Sequence, residues 1–222
     1  VGIPNYRLPR EPLMAEIEHI KRAGVEIRCN QSLGTDFTVD ELFTRDGFNA
    51  VVLAIGAHKS RKLGIPGEDK RGVLHGTDFL RDIALDQLTV DVKGKRVAVV
   101  GGGDVAIDAA RSAWRLGASS VDIIYRRQQA DMPAHPEEIA AAMHEGVQFH
   151  FLANPVSVLG DEQVTGMVVQ TQRLAEFDSS GRRKPVPAEN ANFTLEIDLL
   201  IPAIGQTTDL DWVNGSGIET TR

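Results

Sequence analysis

The chain has 222 residues, of which 42% are hydrophobic and 25% charged, and its formal net charge is −7. This composition is ordinary for a globular protein of one large or two small domains, and the acidic balance argues against general affinity for nucleic acids. Cys29 is the single cysteine, so these residues hold no internal disulfide, no Cys-x-x-Cys redox pair and no iron–sulfur ligand set. No apolar run is long enough to cross a bilayer and no signal peptide is visible, so we expect a cytoplasmic setting.

Helix and strand patterns alternate along the first ninety residues, which is typical of parallel α/β structure. Thr38 is a candidate N-cap, because Glu41 follows at the spacing of a capping box. The expected elements are a helix over residues 12–23, a strand over 25–29, a helix over 39–45, a buried strand over 49–55 and a helix over 77–86. A domain boundary is expected near residues 88–94.

Residues 95–127 have the sequence form of a strand–helix–strand dinucleotide site. An apolar run over 97–100 enters three glycines, a helical pattern follows over 104–116, and a second apolar run covers 121–125. Gly101, Gly103 and Ala106 fill the G-x-G-x-x-G/A spacing, which allows a tight turn, close approach of a pyrophosphate and close packing of helix on strand. The open N–H groups at the helix start favour phosphate. The alternative is a structural glycine turn in an ordinary α/β domain.

Arg126 and Arg127 stand at the end of the second apolar run, where an NAD site usually carries a carboxylate for the ribose 2′-hydroxyl. Two guanidiniums suit a 2′-phosphate, because they can donate bidentate, charge-assisted hydrogen bonds to it. The pair therefore favours NADP over NAD. The alternative is that one or both arginines are simply solvated.

The remaining chain continues the α/β pattern and then changes to antiparallel strand signals. The expected elements are a polar loop over 128–136, a helix over 137–145, a strand over 147–152, antiparallel strands over 156–159, 164–172 and 193–197, a polar loop over 178–192 and a buried strand over 198–204. Two buried strands end in the same tripeptide, Ala54-Ile55-Gly56 and Ala203-Ile204-Gly205. Ligands sit beyond the carboxyl ends of strands in open α/β sheets, so the repeat is consistent with two nucleotide-handling units. Two ordinary buried strands are the equal alternative.

Several longer motifs resemble the small (beta) subunit of NADPH-dependent glutamate synthase and related two-dinucleotide-domain flavoproteins of the pyridine nucleotide-disulfide oxidoreductase superfamily. The resemblance covers essentially the whole chain. The motifs that carry it are Gly2-Ile3-Pro4-Asn5-Tyr6-Arg7-Leu8-Pro9, Gly101-Gly102-Gly103-Asp104-Val105-Ala106-Ile107-Asp108, Tyr125-Arg126-Arg127 with Met132-Pro133, Gly181-Arg182-Arg183-Lys184-Pro185-Val186-Pro187, and Ala203-Ile204-Gly205-Gln206.

The resemblance implies an α/β fold in which a Rossmann-like NADPH-binding domain is inserted into an FAD-binding domain. Residues 1–90 would be part of the FAD domain, 91–206 the NAD(P)H domain, and 207–222 the start of the return to the FAD domain. By this analogy Arg7, Leu33 and Gly56 would face FAD. The residues that would face NADPH are Gly101, Gly102, Gly103, Asp104, Val105, Ala106, Arg126, Arg127, Ala203, Ile204 and Gly205.

The resemblance further implies NADPH oxidation, hydride transfer to FAD and onward electron transfer to 4Fe-4S clusters, with a large subunit or other acceptor protein as partner. The family's FAD glycine fingerprint, its cysteine-rich N-terminal region and its C-terminal flavin-covering segment do not occur in these residues, so we expect a fragment that is inactive alone and binds FAD poorly. Hydride chemistry belongs to the cofactors, so no catalytic acid or base is assigned. The spacing of His135, His144 and His150 matches no common metal pattern. The alternative function is a nucleotide-binding regulatory or scaffold module without catalysis, and the single Cys29 excludes a thioredoxin-reductase-like dithiol enzyme.

Overall fold

The computed structural model describes residues 2–177, 181–213 and 216–220. Its helices and strands, in chain order, are α1 (Arg10–Arg22), α2 (Val39–Thr44), β1 (Lys59–Ser60), α3 (Gly76–Ala84), β2 (Arg96–Val100), α4 (Asp104–Arg115), β3 (Ser120–Tyr125), α5 (Pro136–Glu145), β4 (Gln148–Phe151), β5 (Ala153–Leu159), β6 (Gly166–Phe177), β7 (Arg183–Glu196), β8 (Leu199–Pro202) and β9 (Gln206–Thr207). Single 3₁₀ turns occur at Gln129–Asp131 and Asp211–Val213. Within the described ranges, no helix has both the length and the apolar character needed to cross a membrane.

The chain divides into a larger unit, Val1–Arg7 with Ser60–Gly205, and a smaller unit, Leu8–Lys59 with Gln206–Arg222. The domain boundary expected near residues 88–94 therefore lies inside the larger unit. The physical reason is burial, because Phe79 and Leu80 of α3 are 1% and 5% exposed and belong to the core of that unit.

The larger unit is built on a four-stranded parallel sheet in the order β4-β3-β2-β8. Strands β2 and β8 are buried on both faces, which explains their nearly continuous apolar sequences. In β2, Val97 and Val99 pack into the core shared with α3 and α4, while Ala98 and Val100 point into a second core. The alternation of side chains along one strand thus fixes two layers at once.

The second core lies between the parallel sheet and an antiparallel sheet of order β5-β6-β7. The sequence prediction of antiparallel strands here is confirmed, but the polar loop predicted over 178–192 is wrong from residue 183 onward, where β7 begins. Residues 178–180 lie outside the described part of the chain. Pro185 and Pro187 are accommodated because β7 is an edge strand, where a missing N–H costs no ladder hydrogen bond to a further strand.

The smaller unit holds α1 and α2, both predicted from the sequence. Thr38 accepts from the backbone N–H of Glu41, whose carboxylate accepts from the Thr38 N–H in return, so the predicted capping box is confirmed. The strands predicted over 25–29 and 49–55 are wrong: these stretches carry no strand, and the Val52 side chain is 88% exposed. A strand requires a neighbour to complete its hydrogen bonds, and no described segment pairs with either stretch.

Candidate nucleotide-binding site

The turn between β2 and α4 needs glycine for two separate reasons. Gly101 has a φ of +146°, and a side chain there would overlap the carbonyl oxygen of Ala203. A side chain on Gly102 would instead overlap the ring of Tyr125. The turn is therefore pressed against the strand end at Ala203 on one side and against an aromatic ring on the other, which fixes its backbone.

Gly103 differs from its two neighbours, because the protein does not fill the space beside it. An added Cβ atom would meet only Pro133 Cγ, at 3.8 Å. Gly103 is also the N-cap of α4, and no side chain of the described residues caps this helix. Asp104, the first residue of this helix, accepts a hydrogen bond from the backbone N–H of His135 at 3.3 Å. The start of α4 thus combines open backbone, open space and the positive end of a helix dipole, which is the arrangement that binds phosphate.

Close packing of α4 on the sheet depends on the small residue at position 106. Ala106 is fully buried in the core that contains β2, and its Cβ would lie 3.2 Å from a Cβ atom at Gly101. Its backbone N–H donates to the Gly103 carbonyl at 2.9 Å, which continues the turn into the helix. Val105 is half-buried beside it, and its Cγ1 faces Gly76.

The strand end Ala203-Ile204-Gly205 lies directly beside the glycine turn. The parallel pairing of β2 with β8 brings it there, and the Ala203 N–H donates to the Val100 carbonyl at 2.8 Å. Ile204 is 41% exposed, and Gly205 has a φ of +119° with its carbonyl accepting from Arg61 N–H. The carboxyl ends of β2 and β8, which lie about a hundred residues apart in the sequence, therefore meet at one edge of the sheet.

The two arginines after β3 have different surroundings. Arg126 is exposed. Arg127 is only 4% exposed, and its Nε donates to the carbonyl oxygen of Arg183 at the start of β7 at 3.0 Å. Arg126 is thus available at the edge of the sheet, whereas Arg127 holds the antiparallel sheet against β3.

Tyr125 was not identified from the sequence as a residue of this site. Its ring lies against Gly102, its hydroxyl donates to the Asp131 carbonyl at 2.7 Å, and its side chain is largely buried. Burial raises the pKa of this phenol. Its position, an aromatic residue at the carboxyl end of the strand after the glycine turn, is the sequence feature that could have predicted its contact with the turn.

Arg7, expected by analogy to face FAD, lies in the larger unit against carboxylates of α4 and α5. Its Nη1 donates to Asp108 Oδ2 at 2.8 Å, its Nη2 lies 3.7 Å from Asp104 Oδ1, and its Nε lies 3.8 Å from Glu138 Oε1. Asp108 is buried, which raises the pKa of its carboxyl, while the Arg7 bond acts in the opposite direction. This contact joins residues about a hundred positions apart, so no local pattern could have revealed it.

The same face of α4, one turn further along, is held to α5 by an ion-pair cluster. Arg111 binds both oxygens of Glu145, at 3.0 and 2.6 Å, and also contacts Glu138. The bond from Arg111 holds the pKa of Glu145 at about 2. Glu138 and Glu145 therefore serve to join two helices.

The other residues expected to face FAD, Leu33 and Gly56, lie in the smaller unit. Leu33 is half-buried and forms an isolated bridge with Phe37, whereas Gly56 is exposed and has a φ of +68°. The two α-helices described in this unit begin after Pro9 and Thr38 and not after a glycine turn. By themselves the described residues of this unit do not form a flavin cradle.

The parallel sheet, the glycine turn and the uncapped helix start define a Rossmann-like α/β protein of the dinucleotide-binding class. Comparison with known proteins identifies its family. The model of the pyridine nucleotide-disulphide oxidoreductase family matches residues 10–222, and the chain belongs to this family. The resemblance and the fold class predicted from the sequence are thereby confirmed.

Two curated relatives indicate where the chain stands within the family. It is 49% identical over 218 residues to the NADP(+)-dependent formate dehydrogenase subunit beta of Moorella thermoacetica, covering 97% of this chain and 30% of that protein. It is 37% identical over 211 residues to a putative glutamate synthase [NADPH] small chain of Cereibacter sphaeroides, covering 92% of this chain and 51% of that protein. The chain thus spans 30% of the length of the first relative and 51% of the length of the second.

Among solved structures, the chain is similar in fold to FprA of Mycobacterium tuberculosis in complex with NADPH. The TM-score is 0.66 at 22% sequence identity, over 80% of this chain and 54% of that one. At this identity the likeness concerns the fold alone.

Proposed function

We propose that this chain is the NADPH-binding part of a flavin-dependent oxidoreductase, similar in organisation to the glutamate synthase small subunit. The observation that carries the proposal is the open, uncapped start of α4 beside Gly103. Two relatives that match most of the chain and whose names include NADP(+) or NADPH support it.

The described residues would hold the coenzyme through backbone groups and one cation. No side chain caps the N–H groups at the start of α4, and the pyrophosphate would lie against them in the space beside Gly103. Arg126, exposed at the end of β3, would donate to the 2′-phosphate and so select NADPH over NADH. The strand end at Ala203 would limit the cleft on the other side, because it lies against Gly101.

The reaction itself would be hydride transfer from bound NADPH to an FAD held by the full-length protein. This chemistry is supplied by the two cofactors, so the chain contributes position and charge rather than an acid or base. Onward transfer of electrons to iron–sulfur centres and to a large subunit or another acceptor protein is part of the same proposal, by analogy with the relatives.

The proposal is tested by anaerobic titration of the full-length protein with NADPH while flavin absorbance is followed. We expect bleaching of the flavin band with NADPH at concentrations where NADH has little effect. If NADPH binds in calorimetry but bleaches nothing, the chain is a regulatory or scaffold module. If NADPH does not bind at all, the nucleotide site itself is wrongly assigned.

A further inference from the structure

We infer that Arg7 is a positioning residue for the proposed NADPH site, because its guanidinium compensates the carboxylates beside the helix start that would hold the pyrophosphate. This inference rests on the proposed function. It assigns Arg7 a part in NADPH binding through Asp104 and Asp108, without direct contact with the coenzyme.

The geometry places three carboxylates around one guanidinium. Asp104 is the first residue of α4 and Asp108 lies one turn further on the same face, so both are close to the end of the helix that would receive phosphate. Arg7 bonds Asp108 at 2.8 Å and lies within 4 Å of Asp104 and Glu138. Among the described residues Arg111 is the other cation beside Glu138, and its guanidinium already binds Glu145.

Electrostatics explains why this compensation matters for an anionic ligand. Asp108 is 4% exposed, so water screens its charge poorly, and a carboxylate there repels a phosphate at the helix start. The helix dipole attracts the same phosphate with only about half an elementary charge. Without Arg7, the negative side chains would oppose the positive helix end.

The segment that carries Arg7 is itself fixed on α4. The Tyr6 ring lies under two guanidiniums of the helix, 4.0 Å from Arg115 Cζ and 4.6 Å from Arg111 Cζ. Gly2 is close to Leu80, since an added Cβ atom would lie 3.4 Å from the Leu80 Cβ. The stretch that leads into Arg7 is therefore packed on α3 and α4 before any ligand binds, and the Arg7 side chain is itself held by its bond to Asp108.

The test is the affinity of the full-length protein for NADPH, measured by calorimetry at low and high salt in Arg7 variants. We expect Arg7→Gln to weaken binding about fivefold at low salt, the order of effect of losing one nearby charge in a dielectric between those of water and the protein interior. Raising the salt to about 1 M should diminish this difference only in part, because the Arg7 side chain is 20% exposed and Asp108 is buried, and salt screens buried charges less than exposed ones. Arg7→Lys should retain most of the affinity, and Arg173→Gln, which alters an exposed arginine of β6, should bind as the parent does.

A second substitution separates charge compensation from a merely structural role. Asp108→Asn in the Arg7→Gln background should recover the lost affinity, and Asp108→Asn alone should tighten NADPH binding at low salt. Asp108→Asn alone keeps the test decisive if Arg7→Gln does not fold. Affinity unchanged by Arg7→Gln, a loss that salt does not diminish, or no tightening by Asp108→Asn would each overturn the inference. Failure of the parent protein to bind NADPH would instead refute the proposed function.

Discussion

Arg126 and Arg127 should have separable effects, one on coenzyme choice and the other on stability. Arg126 is exposed at the end of β3, whereas Arg127 is 4% exposed and donates to the Arg183 carbonyl. Arg126→Ala would remove a charge-assisted hydrogen bond to the 2′-phosphate, which is worth about 1.5–3 kcal/mol. The dissociation constant for NADPH should therefore rise by about ten- to a hundredfold. NADH lacks this phosphate, so its affinity should not change.

Arg127→Ala should act on folding instead. It removes a buried donor and leaves the Arg183 carbonyl without its bond, which costs about 1–3 kcal/mol. We expect a lower free energy of unfolding with a nearly unchanged ratio of NADPH to NADH affinity. Fluorescence titration with each coenzyme and chemical denaturation measure the two quantities, and Arg173→Ala, on the exposed side of β6, is the matched control.

The reasoning would be refuted by the reverse pattern. If Arg127→Ala abolished the preference for NADPH while stability stayed the same, the buried guanidinium would be the phosphate ligand. If Arg126→Ala left the preference intact, the end of β3 would not bind the 2′-phosphate at all.

Three further changes have expected outcomes. Gly101→Ala should lower the free energy of unfolding by at least about 2 kcal/mol, because of its positive φ and the overlap with Ala203. Gly103→Ala should weaken NADPH binding but lower the free energy of unfolding by less than about 1 kcal/mol. Equal losses of stability in chemical denaturation would contradict this. The pKa of Glu145 is lowered to about 2, so its ion pair contributes fully to stability above pH 4.5 and is lost as the pH falls toward 2. The difference in free energy of unfolding between the parent and Glu145→Gln, about 3 kcal/mol at neutral pH, should close over that range. Stability-versus-pH curves that stay parallel would contradict this. Thr38→Ala should destabilise α2 by about 1 kcal/mol, seen as faster amide exchange in α2 but not in α5.

The sequence was most informative where local chemistry alone determines the structure. The order of β2, the glycine turn, α4 and β3 could be predicted, because an apolar run, three glycines and a helical period each specify their own conformation. The contacts that these elements make with each other could not be predicted, because the close approach of the Tyr125 ring to Gly102 depends on how two strands pair.

Other stretches failed because strand formation depends on partners. Residues 49–55 are as apolar as β2, yet Val52 is exposed and the stretch is not a strand, since no described segment pairs with it. Residues 183–192 are polar and contain prolines, yet they form much of β7, because β6 supplies a pairing edge. The bond between Arg7 and Asp108 was likewise invisible, because it joins distant parts of the chain.

The contact between Gly101 and Ala203 also has a consequence for how the molecule is made. A nascent chain completes the glycine turn long before β8 leaves the ribosome, and the fourth strand that braces it arrives only with residues 199–202. Such a non-local contact delays assembly, so the glycine turn should reach its final surroundings only after β8 has been synthesised and has paired with β2.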